Sequence, residues 1–572
     1  MNSLDLDNLA KEDNVLLNKV AAKIRQPYID LIATISKGLE DNIHWQVGSI
    51  ACRDPFMGRL YIRLCYITLL EEIWLSGRIV EQIIVSDRHL AVVLNQMALK
   101  HKKKCSIVYK NRNSWLSRIK QLQLYQLAVS IWHLFFRYCA SRGKTDRYNF
   151  SKPLTLLDIC VLGVSGPTPG MVWDGHYHDR HYPGLLDELD DAQKEDIVYI
   201  PAIIKPMNFW RAFRRLRETK QGLIVIDDFL KIQDYIATLM HPFKLMQITV
   251  PPTMFNGIDV RSLIISDINY YSCGYSSMTG LLNHYFVERL HAHGVAVRLL
   301  VEWYENQAVD RGMVAGFKKH YPQVEIVGYQ GYVVSTQFYI HHHPTNSDHA
   351  ANVVPDKVAV IGRNLVPQVK EFCQDFEAVV APAFRFKMLW KERKFHPDPV
   401  YFTVLLGLPA STQDSAEIIE TILAVVGQLP DKTIRYMIKP HPLFSAADIK
   451  SKFSMQWPDA ISFIDGTMSE CLEQADLFVS NSSSSCIESL VLGVPVIIMA
   501  NNHNISANPI PPDIKKELWC ECFCADEFIA ALLRYRQYDE AAVLRNRQLG
   551  KNIRANYFEP ITKTGVKNFL RL

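Results

Sequence analysis

Short apolar runs alternate with longer segments of helical periodicity from about residue 80 onward. Runs of this kind, rich in β-branched residues, are typical of buried parallel strands, and the intervening segments are typical of crossover helices. The pattern therefore predicts the α/β class with parallel sheets. The predicted strands are Glu81–Ser86, Cys105–Tyr109, Leu154–Leu162, Ile197–Ile203, Gly222–Ile226, Arg261–Ile265, Val295–Val301, Val324–Gly328, Lys357–Ile361, Tyr401–Leu406, Thr433–Ile438, Ile461–Ile464, Asp476–Val479 and Pro495–Met499.

The chain has 572 residues, which is too long for one hydrophobic core. The predicted strands fall into two sets, and a basic, aromatic stretch, Phe384–Pro399, separates them. We interpret this stretch as an interdomain linker. It divides the chain into an N-terminal domain, residues 1–395, and a C-terminal domain, residues 396–572. Residues Ala525–Tyr557 are predicted to be helical.

Hydrophobic residues make up 48% of the chain, charged residues 21%, and the net charge is +4. These values are ordinary for a globular protein, and the small charge, without a recognisable motif, argues against nucleic acid as a partner. The first residues, Met1–Asp7, lack the basic and apolar regions of a signal peptide. There is also no run of about 18 uncharged apolar residues. The expected location is the cytoplasm.

Two motifs follow predicted strands of the second set. The first contains Lys439, His441 and Pro442, and the second contains Ser482, Ser483, Ser484, Ser485 and Glu488. Serines at the start of a helix offer backbone N–H groups, hydroxyls and the positive end of the helix dipole, which together suit a phosphate group. Glu488 would accept hydrogen bonds from ribose hydroxyls, and His441 would meet the same phosphate. The alternative is that the serines only cap the helix and the His-Pro pair is only a loop.

This order of motifs resembles the C-terminal half of GT-B glycosyltransferases that use CMP-activated acidic sugars, namely sialyltransferases, polysialyltransferases and Kdo transferases of bacterial surface polysaccharides. Other stretches resemble a broader set of surface-carbohydrate proteins that includes retaining β-Kdo transferases. They are Trp45–Ser49, Arg53–Pro55, Asp179–Leu185 and Trp303–Gln307. The resemblance implies two Rossmann-like domains that face each other across a cleft, with C-terminal helices that cross back to the N-terminal domain. It also implies CMP-Kdo or a CMP-nonulosonate as donor. The acceptor would be a glycan or lipid-linked sugar in lipopolysaccharide, capsule or O-antigen assembly.

Asp227 and Asp228 end an apolar run that we predict to be a strand, Gly222–Ile226. Acids at the carboxyl end of a parallel strand face the crevice in which open α/β sheets bind ligands. In a retaining enzyme such a carboxylate is the nucleophile, and in an inverting enzyme it is the general base. Of the two we favour Asp228, and we expect the other to cap the next helix.

Asp158 lies inside an apolar run, where an unpaired carboxylate is costly to bury, so it is a second catalytic candidate. Glu305 is a further catalytic candidate. Together with Asn306 and Gln307 it follows another predicted strand, and these three residues suit sugar hydroxyls. The alternative for these three residues is that they cap the following helix.

Arg53, close to Ser49, is predicted to bind the carboxylate of the substrate or the acceptor, because a guanidinium binds carboxylates through two hydrogen bonds. The alternative is a surface arginine in a turn. We predict no metal and no cofactor, since the single phosphate of CMP is neutralised by a helix start and a histidine. His341–His343 on a strand would point to opposite faces and would not converge on an ion. The three cysteines of Cys520–Cys524 are interpreted as buried thiols.

The segment 101–152 combines basic residues with the aromatic run Ala128–Cys139. Basic residues beside an aromatic helix suit an anionic membrane surface, so we predict peripheral contact with the inner face of the cytoplasmic membrane. The alternative is a core helix with solvated basic flanks.

Other functions also fit the sequence. One is a GT-B transferase that uses a UDP-sugar, or a UDP-sugar epimerase, both of which end in a serine-rich helix start with a glutamate. Another is an inactive scaffold of the same fold that organises a polysaccharide assembly complex.

Overall fold

A computed structural model describes residues 3–110, 123–141, 148, 150–164, 166, 169–203, 208–391, 400–453, 457–501 and 504–572. Its strands are β1 (Ser3–Asp5), β2 (Gln82–Val85), β3 (Ser106–Tyr109), β4 (Leu154–Val161), β5 (Val172–Trp173), β6 (His176–Tyr177), β7 (Ile197–Ile203), β8 (Met254–Phe255), β9 (Ile258–Asp259), β10 (Val297–Trp303), β11 (Glu325–Gln330), β12 (Lys357–Val360), β13 (Glu377–Val380), β14 (Phe402–Gly407), β15 (Ile434–Lys439), β16 (Ile461–Phe463), β17 (Leu477–Ser480), β18 (Val496–Met499) and β19 (Trp519–Cys522).

The α-helices are Lys11–Lys23, Arg25–Ser36, Ile43–Gln46, Ser49–Cys52, Leu60–Leu75, Arg88–Lys100, Gln123–Ser141, Asp191–Glu195, Phe209–Arg217, Ile232–Leu239, His241–Met246, Arg261–Tyr271, Tyr275–Ala292, Ala308–His320, Asn346–Ala350, Val366–Val369, Thr412–Gln428, Ala446–Lys452, Met468–Leu472, Ser485–Val491, Ala525–Arg536, Glu540–Tyr557 and Lys563–Leu570. Short 3-10 helices span Leu186–Glu188, Ile226–Asp228, Ile340–His342, Arg363–Leu365 and Phe384–Trp390.

The first large sheet is parallel throughout and has the order β13-β12-β11-β10-β4-β7. The chain passes from β4 to β7 on one side and then continues from β10 to β13 on the other. The order of the strands therefore reverses between β4 and β10. In open α/β sheets ligands bind in the crevice at the carboxyl ends of the strands beside such a point.

The second large sheet is also parallel and has the order β16-β15-β14-β17-β18-β19. Here the strand order reverses between β14 and β17. Both predicted donor motifs follow strands that flank β14, because β15 ends at Lys439 and β17 ends at Ser480. The loops that carry these motifs therefore emerge at the same edge of the sheet.

The N-terminal part of the chain forms a smaller unit with its own core. Its parallel sheet has the order β1-β2-β3, and its buried side chains come from the helices around it, including Lys11–Lys23, Leu60–Leu75 and Arg88–Lys100. The strand pattern did not predict β1 or β13. Both strands are short and carry acidic residues, and β13 is a partly exposed edge strand, so neither presents a continuous apolar run.

Two predicted strands are wrong. Arg261–Ile265 begins the helix Arg261–Tyr271, whose buried Leu263, Ile264, Asp267 and Ile268 follow helical spacing. Gly222–Ile226 pairs with β7 only near Tyr199 and then turns into a 3-10 helix. The next hydrogen bond of this parallel ladder would come from residue 201 of β7, but Pro201 has no N–H, so the pairing stops. On the opposite side of the segment, the N–H of Val225 donates to the hydroxyl of Tyr148 at 3.0 Å.

The expected two-domain α/β architecture, with C-terminal helices that cross back to the N-terminal domain, is confirmed. After the helix Glu540–Tyr557, the N–H of Glu559 donates to the carbonyl of Ile361 at 2.6 Å. The carbonyl of Glu559 accepts from the N–H of Ala383 at 2.8 Å. The last helix then places the Phe569 ring 5.2 Å from the Tyr329 ring, at the end of β11. The two domains are therefore connected by the chain between β13 and β14 and again by the returning terminal helices.

The stretch that we interpreted as a linker is partly built into the core. Its described part forms the 3-10 helix Phe384–Trp390, in which Phe384 and Phe386 are buried. Residues 392–399, which include the predicted domain boundary, lie outside the described residues.

We expect Gly362→Ala to destabilise the protein by about 1–3 kcal/mol, because an added Cβ would lie 2.2 Å from the backbone carbon of Tyr557. Gly427→Ala is the matched control. It lies in the helix Thr412–Gln428 with nothing within 4 Å of an added Cβ, so it should stabilise by about 1 kcal/mol. Urea unfolding of both variants measures the difference. Equal changes would mean that the return of the terminal helices does not depend on the close approach at Gly362.

Candidate active site

The helix Ser485–Val491 of the C-terminal domain contacts the 3-10 helix Phe384–Trp390. Arg385 of this 3-10 helix lies over the ring of Trp303, at the carboxyl end of β10 and beside β4. The electrostatic neighbours of Arg385, in this 3-10 helix, include Arg180 of the N-terminal domain and Glu488 of the C-terminal domain. The candidate site therefore contains residues of both domains.

Two carboxyl groups lie at this point of the N-terminal sheet. Burial raises the pKa of Asp158 to about 7, opposed by a hydrogen bond from the N–H of Trp303, and the nearby charge of Glu305 adds to the increase. Burial also raises the pKa of Glu305, whose oxygens accept from Trp303 Nε1 at 2.9 Å and from Gln307 Nε2 at 2.8 Å. Neighbouring carboxyls whose pKa values are raised by burial are suited to proton transfer.

Two arginines face these acids. The guanidinium of Arg385 stacks over the ring of Trp303, 5.5 Å from its centroid. Burial and the charge of Arg180 lower the pKa of Arg385. Among the described residues, neither arginine forms an ion pair with a carboxylate. Because two like charges are costly to hold together without a counterion, the pair is suited to bind an anionic group of a ligand.

The segment Asp179–Leu185 positions Arg180. Asp179 Oδ1 accepts from the N–H groups of His181, at 2.8 Å, and of Tyr182, at 2.9 Å, and so closes a turn. The ring of His181 stacks on Trp303 with a centroid distance of 3.8 Å. The hydroxyl of the buried Tyr182 donates to the carbonyl of Asp158 at 3.2 Å. Arg180 is thus held between two anchored residues beside β4.

The serine-rich turn of the C-terminal domain is ordered by its own hydrogen bonds. Ser482 Oγ donates to Asn481 Oδ1 at 3.0 Å, and the N–H of Ser485 donates to Ser483 Oγ at 3.2 Å. The side chain of Ser484, the residue before the helix, makes no capping hydrogen bond. The serines therefore combine a structural role with hydroxyl and N–H groups at the start of a short helix.

Glu488 connects this helix to the arginines. Its Oε1 accepts from Ser485 Oγ at 3.2 Å. Burial raises the pKa of Glu488, and the charge of Arg385 opposes this increase. The structure thus brings the predicted donor residue Glu488 to the same region as Asp158 and Glu305.

The His-Pro motif lies two strands away from the serine-rich turn. His441 and Pro442 follow β15, whereas the serines follow β17, and β14 lies between these strands. Two strand spacings correspond to about 10 Å, which leaves room for a ligand between the motifs. His441 Nδ1 accepts from the N–H of Leu443 at 3.2 Å. Hydrogen bonds from Thr467 lower the pKa of Glu470, and the charge of Lys439 adds to this effect, so the lysine lies near the helix Met468–Leu472.

Asp227 and Asp228, the acids that the sequence favoured for catalysis, lie elsewhere. Arg137 binds Asp227 through Nε at 2.6 Å and Nη2 at 2.9 Å. Asp228 accepts from the hydroxyl of Tyr148 at 2.8 Å and forms an ion pair with Arg217. Both acids follow the segment beside the edge strand β7, so they lie about two strand spacings from Asp158. The structure does not bring them to the candidate site.

Arg53, which we predicted to bind a substrate carboxylate, is engaged with a carboxylate of the protein itself. Its Nη1 and Nη2 donate to Asp348 at 3.0 and 2.6 Å, and Arg311 Nη1 donates to the same carboxylate at 2.8 Å. All three residues are buried. Although burial by itself opposes ionisation, the charges and hydrogen bonds of the two arginines hold the pKa of Asp348 well below its usual range.

We expect Asp348→Ala to lower the free energy of unfolding by about 3–5 kcal/mol, because it leaves two buried guanidinium groups without their carboxylate. The folded-state pKa of Asp348 is depressed, so its contribution is present above the unfolded-state pKa of about 3.9 and is lost as the pH falls below that value. Asp191→Asn, at a fully exposed side chain, is the control and should change stability little. Urea unfolding at pH 7 and pH 3.5 measures both effects, and an unchanged Asp348→Ala protein would contradict the assignment.

The other predicted substrate residues support the site or line a cavity beside it. Asn306 adopts a positive φ of 53° and donates to the carbonyl of His341 at 2.7 Å, so it shapes the loop after β10. Ser49 lines a cavity of about 270 Å³ together with Arg53, Asp54 and Asn504. Burial raises the pKa of Asp54 to about 7, and the charge of Glu305 adds to this increase, so the cavity adjoins the candidate site.

The three adjacent histidines do not form a strand. His341 and His342 belong to a 3-10 helix and His343 follows it, and all three are buried with lowered pKa values because burial disfavours the charged ring. Among the described residues there is no group of three or more side chains arranged to hold a metal ion.

Sequence reasoning missed Arg180 and Arg385 as site residues. Arg180 belongs to the quoted motif Asp179–Leu185, and Arg385 lies between two buried phenylalanines, Phe384 and Phe386. A single arginine inside a buried aromatic stretch was the available signal, because a charge in such surroundings needs a partner or a ligand.

Comparison with models of protein families and with curated proteins finds no match. Some solved structures are similar in part. MnaA of S. aureus with UDP shares 11% identity and a TM-score of 0.43, covering 73% of this chain and 97% of that chain. The glycosyltransferase SnogD from Streptomyces nogalater shares 12% identity and a TM-score of 0.38, covering 74% of this chain and 100% of that chain. The wall teichoic acid polymerase TagF shares 7% identity and a TM-score of 0.36, covering 78% and 96%. Similarity of this degree carries no information about activity.

Proposed function

We propose that this protein is a glycosyltransferase that moves an acidic keto-sugar, Kdo or a nonulosonate, from a CMP-activated donor to a glycan or lipid-linked acceptor of surface polysaccharide assembly. The observation that carries the proposal is the pair Arg180 and Arg385. Both arginines lie near Glu305, and Arg385 also lies near Glu488 of the helix Ser485–Val491. An acidic sugar brings a carboxylate to the reacting centre, and paired guanidinium groups are suited to hold it.

The proposed donor site combines groups from both domains. The hydroxyls and N–H groups of Ser483, Ser484 and Ser485, together with His441, stabilise the departing phosphate, and Glu488 accepts from the ribose hydroxyls. Fixed donors aimed at the charge that develops in the transition state usually supply the largest part of catalysis. CMP carries a single phosphate, so we propose that neither a metal ion nor another cofactor is required.

Asp158 is proposed to act on the reacting centre. As a general base it takes the proton of the acceptor hydroxyl while the acceptor oxygen bonds to the anomeric carbon, the bond to the phosphate oxygen breaks, and CMP leaves with that electron pair. As a nucleophile in a retaining enzyme it first bonds to the anomeric carbon while the bond to the phosphate oxygen breaks and CMP leaves. The acceptor oxygen then bonds to the anomeric carbon, its proton passes to Glu305, and the carboxylate of Asp158 is released. The resemblance to retaining β-Kdo transferases favours the second path. A covalent sugar adduct on Asp158, detected by peptide mass spectrometry, distinguishes the two.

The donor assignment is tested by isothermal titration calorimetry with CMP, UDP, CMP-Kdo and a CMP-nonulosonate. We expect binding of CMP and of at least one acidic CMP-sugar. Tight binding of UDP without binding of CMP would instead support the UDP-sugar transferase or epimerase. Absence of nucleotide binding by the folded protein would support the inactive scaffold.

We expect His441→Ala and Ser484→Ala each to lower turnover of the CMP-sugar by about a hundredfold, because each removes a group that stabilises the departing phosphate. Ser462→Ala, at an exposed position of the edge strand β16, is the control and should leave turnover unchanged. Initial rates, with circular dichroism to confirm folding, measure the effect. Near-normal rates in both site variants would place the phosphate elsewhere.

A further inference from the structure

The helix Gln123–Ser141 buries three polar residues and exposes most of its large apolar side chains. Its buried residues are Ser130, Leu134, Arg137, Ala140 and Ser141. Its exposed residues include Leu124, Tyr125, Val129, Ile131, Trp132 and Phe135. A helix at the surface of a globular protein normally buries its apolar side, so this helix presents a surface for another partner.

Specific polar contacts hold the helix in this orientation. Arg137 forms its two hydrogen bonds to the buried carboxylate of Asp227, and Ser130 Oγ donates to the carbonyl of Cys273 at 3.0 Å. Rotating the helix to bury its apolar side would break the buried ion pair, and breaking such a pair is strongly destabilising. The outward apolar side is therefore a fixed property of the fold, and Asp227 contributes to it.

The exposed side chains continue onto the helix Phe209–Arg217. The ring of Trp132 lies 4.2 Å from that of Phe136, which lies 5.7 Å from the ring of Trp210. Trp132 is 65% exposed, Phe135 58% and Trp210 50%. We call this surface, made by Trp132, Phe135, Phe136 and Trp210, the aromatic patch.

The charges around the aromatic patch are mainly positive. Neither of its two helices contains an aspartate or a glutamate. Arg211 and Arg214 are exposed on the second helix, beside Trp210, and Arg214 Nε lies 3.8 Å from the exposed carboxylate of Glu218. Exposed tryptophan and phenylalanine beside arginines are complementary to an anionic lipid surface, in which aromatic rings enter the headgroup region and arginines meet phosphate.

We propose that the aromatic patch docks the protein onto a bilayer that contains anionic phospholipids. Among the described residues no helix is long and apolar enough to cross a bilayer, so the contact is made at the surface. Only the helix Gln123–Ser141 belongs to the segment 101–152 that we predicted to contact the membrane, and the helix Phe209–Arg217 is an addition to it. Residues 111–122, 142–147 and 149 of that segment lie outside the described residues. The docking does not depend on the proposed glycosyl transfer.

The test is cosedimentation of the full-length protein with vesicles of phosphatidylglycerol and phosphatidylcholine, and with vesicles of phosphatidylcholine alone. We expect binding only to the anionic vesicles.

The double variant Trp132→Glu, Phe135→Glu should weaken binding to the anionic vesicles at least about tenfold. Arg211→Gln with Arg214→Gln should weaken it about fivefold per arginine and reduce its dependence on salt. The control is Leu544→Glu, the same kind of change at a position of the C-terminal domain that is 63% exposed, and it should bind normally.

Two results would overturn the proposal. One is that the wild-type protein fails to bind anionic vesicles at low salt. The other is that the protein forms a dimer by analytical ultracentrifugation, that the Trp132 and Phe135 substitutions abolish the dimer, and that vesicle binding is unchanged. The aromatic patch would then join two copies of the chain. Circular dichroism of every variant ensures that lost binding does not reflect unfolding, and the arginine variants, which leave the apolar surface intact, provide an independent measurement.

Discussion

Replacing Asp158 with asparagine is expected to lower turnover by about 100- to 10,000-fold while donor binding and the fold are retained. Asparagine has the size of aspartate and keeps one carbonyl oxygen, so the hydrogen bond from the N–H of Trp303 can persist. What it loses is the ability to accept a proton or to form a bond to the sugar. Initial rates of sugar transfer, with calorimetric titration of CMP, separate the loss of chemistry from a loss of binding.

We also expect Asp158 to make both activity and stability depend on pH. Because burial raises the pKa of Asp158 to about 7, kcat/KM of the wild-type protein should increase as the pH rises through that value and the carboxylate forms. The effect on stability has the opposite sign. The folded protein binds the proton of Asp158 more tightly than the unfolded chain, so this residue lowers the free energy of unfolding as the pH rises from about 4 to 7. Asp158→Asn should remove both trends.

Asp228→Asn is the matched control, since it makes the same change at the acid that the sequence favoured. Its carboxylate is paired with Arg217 and Tyr148, so we expect a lower melting temperature but near-normal turnover per folded molecule. If Asp228→Asn abolished turnover and Asp158→Asn did not, the catalytic role would return to Asp228.

Replacing Arg385 with glutamine is expected to raise KM for the acidic donor by roughly 10- to 100-fold, because hydrogen bonds to a charged group contribute about 1.5–3 kcal/mol. The informative experiment compares the acidic donor with an analogue in which an amide replaces the sugar carboxylate. The wild-type protein should prefer the acidic donor to this analogue, and Arg385→Gln should lose most of that preference. Arg363→Gln, an exposed arginine in a neighbouring 3-10 helix, is the control and should keep it.

KM is measured for the wild-type protein and for Arg385→Gln, each with the acidic donor and with its amide analogue. The four values form a thermodynamic cycle that isolates the contact between Arg385 and the sugar carboxylate. If Arg385→Gln weakens the acidic donor and its amide equally, the arginine binds the phosphate or only shapes the site. The proposal of an acidic donor sugar would then lose its main support, whereas the assignment of Asp158 would be unaffected.

The parallel strands were largely predictable because a strand that is buried on both faces must be apolar along its whole length. The runs at Ile197–Ile203 and Val496–Met499 are examples of such strands. The local design of the serine-rich turn was predictable for a similar reason. Ser485 and Glu488 are three residues apart on one helix, so their contact follows from helical geometry alone.

Gly222–Ile226 shows where this reasoning fails. Its apolar pattern is that of a strand, but its pairing with β7 ends where β7 has Pro201, which offers no N–H, and on its other side Val225 donates to the hydroxyl of Tyr148, 77 residues away along the chain. The two acids that follow are then neutralised by Arg137 and Arg217, which come from other helices. No local pattern records partners that the chain supplies from a distance.

The sequence by itself determined the fold class and most of the strands, because hydrophobic periodicity acts over a few residues. The donor role of the two C-terminal motifs stays a prediction. Only the tertiary structure decided which charged groups meet. It pairs Arg53 with Asp348, and among the described residues it places Arg180 and Arg385 near Glu305 without an ion pair to any carboxylate. The reason is physical: the chemistry of an ionisable side chain depends on its burial and on charges within a few ångströms, and these neighbours come from segments far apart in sequence.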